Sequence, residues 1–156
     1  MVFAEMKNSI LLLALCTALS TAGFNRLVAA PAPRVVEITA NDMMKYSVTA
    51  IAATAGETLK VVLTNLGTLP KEAMGHNWVL LKAGTDVNAF AMAGVAAKDT
   101  NYIAPAQKDK VIASIGVLGP KQSGDTTFPA PAAGEYTFIC TFPGHFMLMK
   151  GTLTVK

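Results

Sequence analysis

The chain has 156 residues, which is room for one domain and too little for two of ordinary size. With 52% hydrophobic and 15% charged residues it is too apolar for a disordered polypeptide. Its formal net charge of +3 is spread singly along the chain, with no lysine or arginine cluster, which excludes the electrostatic footprint of a nucleic-acid partner.

Part of the high mean hydropathy, +0.42, comes from residues 10–24 (ILLLALCTALSTAGF), an apolar run behind Lys7. The run is shorter than the roughly 20 residues a membrane-spanning helix needs, so it reads as a secretory signal peptide and not as a stable membrane span. Small residues offer cleavage after Ala22 or Ala29, and Pro31 disfavours a cut after Ala30. The expected organisation is a signal peptide over 1–30 and an exported domain over 31–156, placed in the periplasm. Removing Lys7, Arg26 and Glu5 with the leader lowers the net charge from +3 to +2.

The exported part then keeps a single thiol, Cys140, and forms no internal disulfide. A free thiol in an oxidising compartment is either buried or capped by a metal.

Residues 34–40 (RVVEITA) and 45–50 (KYSVTA) are β-branched and partly alternating, as half-buried strands are, with Asn41-Asp42 as the turn between them. Residues 58–64 (TLKVVLT) put Leu59, Val61 and Leu63 on one parity, and 77–82 form a further strand. From 84 to 104 the period of two disappears, and Val87, Phe90, Ala91 and Gly94 fall at helical spacing, predicting a short helix in an irregular flap. Residues 111–116, 125–128, 135–140 and 151–156 complete about eight strands separated by Gly/Pro turns, so the fold class is all-β, a β-sandwich. Tyr136, Phe138 and Cys140 share one parity, which directs the thiol toward an aromatic core face.

Cys140 is followed by His145 and Met149 in Cys140-Thr-Phe-Pro-Gly-His145-Phe-Met-Leu-Met149, and the other histidine, His76, stands in Met74-Gly75-His76-Asn77-Trp78-Val79-Leu80. Two imidazoles, a thiolate and a thioether are the donor set of a blue-copper electron-transfer site, trigonal His₂Cys with a weak axial Met. Trp78 needs no such role and reads as core packing.

These two motifs, with 99–102, 110–113 and 116–119, resemble the azurins within the cupredoxin family, and the similarity runs from about Val35 to Lys156. The resemblance implies a cupredoxin-like Greek-key β-sandwich holding one type 1 copper. It implies His76, Cys140 and His145 as equatorial ligands, Met149 as axial ligand and the Gly75 carbonyl as a distant oxygen, with Asn77, Thr141 and Phe142 in the surrounding shell. It also implies a docking patch of Leu69, Met74, Pro143, Phe146, Met147 and Leu148 around His145, with Phe146 and Met147 larger than the residues usual there. The chain departs from many azurins in lacking their disulfide and their additional histidines, and with those histidines their protonation switch.

The function so implied is a monomeric one-electron carrier, not an enzyme, meeting redox proteins such as c-type cytochromes or copper or haem reductases. Two other classes use the same residues. A Cys140 nucleophile with a His145 base would act on an electrophile without metal. A copper store or zinc site would bind through these ligands without reversible redox cycling.

Overall fold

The computed structural model of the chain describes residues 31–156, so the signal peptide expected over 1–30 lies outside the described residues. Among the described residues, nine strands form two sheets. Strands β1 (Arg34–Asn41), β2 (Lys45–Tyr46), β4 (Thr58–Asn65) and β7 (Ser123–Pro129) make a four-stranded sheet in the order β2-β1-β4-β7. Strands β3 (Ala50–Ala53), β9 (Lys150–Val155), β8 (Gly134–Ile139), β5 (His76–Leu81) and β6 (Val111–Leu118) make the other, in the order β3-β9-β8-β5-β6. The pairs β1/β4 and β3/β9 are parallel, and the remaining pairs are antiparallel.

The alternation read in residues 58–64 has its physical counterpart in β4, where Leu59, Val61 and Leu63 are sealed between the sheets and the intervening residues are half-exposed. They share one core with Ile38, Trp78, Leu80, Phe128, Phe138 and Leu153, and the Trp78 ring lies 5.4 Å from Phe138 and 6.0 Å from Phe128. Deleting an aromatic group of this burial costs about 3–5 kcal/mol.

The flap carries the expected helix, α2 (Val87–Gly94), capped by the Asp86 carboxylate, which accepts from the Ala89 N–H at 3.0 Å. Phe90 and Ala91 pack on Val79, Leu81 and Ile139, so β5 is buried on both faces. Gly94 sits where a Cβ would collide with the Tyr102 carbonyl oxygen, which brings the helix against the flap's return.

Two expectations are corrected. The single strand over 45–50 is two, β2 and β3, because the chain crosses there from one sheet to the other, with Ser47 and Thr49 bonding Thr39 and Thr152 on opposite sheets. A local alternation does not reveal such a change of sheet. A four-residue helix, α1 (Lys71–Met74), was not expected; it follows Pro70 and ends at Gly75, immediately before His76.

Candidate metal centre

His76 opens β5, Cys140 follows the last residue of β8, and Met149 precedes the first residue of β9. Between the last two, the loop folds on its own backbone. The Cys140 N–H donates to the Met149 carbonyl at 2.9 Å, the His145 N–H to that of Phe142 at 3.0 Å, and the Met149 N–H to that of His145 at 2.8 Å. Gly144, at φ 82°, supplies the left-handed residue that turns the chain into the helical turn His145–Met147.

This folding brings one ligand atom each from His76, Cys140 and His145 within 4.8 Å of one another. The Cys140 Sγ lies 3.7 Å from the His145 Nδ1, and the two imidazole rings are 5.1 Å apart. All three side chains are buried, as is Met149. Both ring nitrogens of His76 lack any hydrogen-bond partner, an arrangement that is costly unless something binds there. Two imidazole nitrogens and a thiol converging out of contact with water fit a soft or borderline cation, copper among them.

Burial also sets the protonation states. It pushes the Cys140 thiol up to about 11, against which the backbone N–H groups of Asn77 and Phe142 favour the thiolate. Burial, with the charge of His76, pulls His145 down to about 4. His76 is lowered as well by burial, opposed by the Asp42 charge. The imidazoles are therefore neutral, with lone pairs free for a cation, and the thiol loses its proton only when a cation takes its place.

Around the triad, Asn77 and Thr141 bond reciprocally: the Asn77 Nδ2 donates to the Thr141 Oγ1 at 2.7 Å and the Thr141 N–H to the Asn77 Oδ1 at 2.7 Å. The Asn101 carbonyl accepts from both side chains, at 3.1 and 2.9 Å. Phe142 is buried, 8% exposed, with its ring 4.6 Å from His145 and edge-on to Tyr102 at 5.2 Å. At Gly75 a Cβ would lie 2.5 Å from Val117 and 2.6 Å from the Lys71 carbonyl oxygen, so only glycine fits.

Of the expected patch, Met147 and Leu148 stand 67% and 64% exposed, Leu69 is exposed, and Met74 and Pro143 are half-buried. Phe146 is half-buried too, and it leans on the cluster between β5 and α2.

Sequence reasoning missed Asn101, Tyr46 and two exposed apolar residues, Met43 and Leu66. The Asp42 carboxylate accepts from the Thr68 N–H and hydroxyl at 2.8 and 2.9 Å, stapling the turn that carries Met43 to the loop that carries Leu69. For Asn101 a signal existed: it sits at φ 56°, the left-handed region that asparagine tolerates better than most residues.

The family described as copper binding proteins, plastocyanin/azurin family, matches residues 33–156. The chain is 41% identical over 126 residues to an azurin of Pseudomonas denitrificans, covering 78% of this chain and 97% of that protein. It is 42% identical over 122 residues to an azurin of Bordetella pertussis, covering 76% and 81%. Among solved structures, an azurin (Az-iso2) of Methylomonas sp. strain J superposes with TM-score 0.69 at 35% identity, over 80% of this chain and 99% of that one. Auracyanin A of Chloroflexus aurantiacus, described as a "blue" copper protein, superposes with TM-score 0.73 at 34% identity, over 80% and 100%.

Proposed function

The chain belongs to the plastocyanin/azurin family of copper binding proteins, and from that premise we propose that it is a periplasmic electron carrier that would hold one copper ion through His76, Cys140 and His145, with Met149 and the Gly75 carbonyl as weaker donors. The observation that carries the proposal is the buried convergence of two neutral imidazoles and one thiol, with both His76 nitrogens unpartnered. Copper, when bound, supplies a one-electron couple between its Cu(I) and Cu(II) states.

The protein's part is to hold the donors still and dry. Three of them lie on a loop closed by its own backbone, and His76 arrives from β5, fastened beside it by the Asn77–Thr141 pair. A site so braced changes little between two oxidation states, and burial keeps water from adding itself as a ligand. Leu69, Met147 and Leu148, with Met74 and Pro143, form an apolar collar near His145 that suits brief contact with a redox protein such as a c-type cytochrome or a copper or haem reductase. We read the carrier as a monomer, exported by a signal peptide over residues 1–30 and working as the domain 31–156.

A carrier also accounts for Cys140 better than an enzyme does. The sulfur is fully buried and its thiol is held near 11, so neither a substrate nor a base at neutral pH has ready access to it.

The test is to add copper(II) to residues 31–156 and record the visible spectrum and a voltammogram. An intense blue colour with a reversible one-electron wave is expected. A colourless complex overturns the copper site, and a blue complex without a reversible wave overturns the carrier in favour of a store.

A further inference from the structure

Asn77 stands at an irregularity of β5. The pairing with β6 passes from His76–Leu118 to Trp78–Ile115, so Gly116 and Val117 together face Asn77, and the pairing with β8 starts only at Val79. A bulge of this kind releases backbone groups from the ladder and re-aims them, and each released group needs another partner when buried.

The Val117 N–H donates to the Asn101 Oδ1 at 2.9 Å, and the Asn77 N–H is one of the two backbone groups that favour the Cys140 thiolate. The Asn77 carbonyl accepts from the Tyr46 hydroxyl, and the Asn77 side chain is committed to Thr141 and Asn101. Among these partners Tyr46 is the one that reaches across from the opposite sheet, from β2, 7% exposed and with its ring 6.0 Å from Phe138.

We propose that Tyr46 is a positioning residue of the metal centre: its hydroxyl fastens the Asn77 carbonyl at the bulge, and so sets how firmly the Asn77 N–H is donated to the Cys140 sulfur. The inference rests on the reading that this sulfur holds copper. A phenylalanine at 46 would fill the same space against Phe138, so what the tyrosine adds is the hydrogen bond. Burial keeps the Tyr46 phenol well above its ordinary value of 10, so it remains an O–H donor at neutral pH. An N–H donated to a thiolate withdraws electron density from sulfur; weakening it makes the sulfur a better donor, which favours the oxidised ion and lowers the reduction potential.

The experiment is Tyr46→Phe, read in two forms of the protein. In the metal-free form, hydrogen exchange of the Asn77 amide should accelerate about tenfold or more, the consequence of leaving a buried carbonyl unpaired, while amides of β4 exchange as in the wild type. In the copper form, the reduction potential should fall and the blue band should move to lower energy. An unchanged Asn77 exchange rate overturns the clamp, and accelerated exchange with an unmoved potential overturns its link to the sulfur. A wild-type protein that gives no blue complex overturns the copper reading instead, and the metal-free exchange still decides the clamp. Should Tyr46→Phe fail to fold, the wild type supplies the readout: the Tyr46 hydroxyl proton is expected as a slowly exchanging NMR resonance that shifts between the metal-free and Cu(I) forms. Its absence, or a resonance that does not shift, overturns the proposal.

Discussion

The loop from Cys140 to Met149 and the start of β5 at His76 contribute to the same site in different ways. In the loop, ten consecutive residues close four backbone hydrogen bonds among themselves, so the placing of Cys140, His145 and Met149 is largely local. His76 has no such frame: its neighbour Asn77 is held by Thr141, by the flap through Asn101, and by the opposite sheet through Tyr46. One half of the site is built by short-range chain geometry and the other by the closure of the whole sandwich, and the two are joined at Asn77 and Thr141. Damage to the loop should therefore change the chemistry and spare the fold, whereas damage at Asn77 should reach both.

Cys140→Ser is expected to abolish the blue colour altogether, since the band arises from thiolate-to-copper charge transfer and a hydroxyl does not replace it. Circular dichroism should still report a folded sandwich. Retention of an intense blue band would remove Cys140 from the site.

Asn77→Ala severs the joint itself. It removes three side-chain hydrogen bonds and leaves the buried Thr141 N–H without a partner, so a loss of about 2–4 kcal/mol of folding stability is expected in urea titrations. A loss under about 1 kcal/mol would show that the two halves stand independently.

Acid should separate the metal-free and copper forms. In the metal-free fold His145 is held near 4, below its ordinary 6.5, so the unfolded chain binds the proton more readily over that interval. Thermal unfolding of the metal-free protein should weaken as pH falls from 6.5 toward 4 and level off below. The same linkage at Cys140, raised from 9.0 to about 11, predicts weakening as pH rises through that window. With copper bound, the step between 6.5 and 4 should be displaced to lower pH, because the ligand nitrogen no longer takes a proton. Superimposable acid profiles for the two forms would count against His145 as a ligand.

Met149→Leu keeps the loop's backbone bonds and removes one weak donor, so copper should stay and the reduction potential should rise. A potential that is unchanged or lower argues against the axial assignment.

The smallest structural effect is expected at Met147→Asp, on a side chain that is mostly in solvent. The visible spectrum and the stability should stay as they are, while the bimolecular rate of electron transfer in stopped-flow falls roughly tenfold, the equivalent of about 1.4 kcal/mol for a carboxylate desolvated at the contact. Phe146→Asp is a different experiment, because Phe146 packs on the cluster under α2 and its replacement should also destabilise the fold. A wild-type rate for Met147→Asp would place docking elsewhere.

Much of this protein was legible in its residues taken in order. Leu59, Val61 and Leu63 announce their shared face by alternation, Val87, Phe90, Ala91 and Gly94 announce a helix by spacing, and Cys140, His145 and Met149 lie close enough in the chain for their donor types to suggest a metal. Patterns of this kind arise from short-range sterics and from the period of a strand or helix, which a sequence carries explicitly. What only the tertiary structure decided depends on closing the sandwich. The crossing between sheets at residues 47–49, the bulge opposite Asn77, the hub at Asn101, the reach of Tyr46 and the inward lean of Phe146 all pair groups far apart in the chain. A buried polar group must find a partner wherever the fold happens to offer one, and no local period records where that will be.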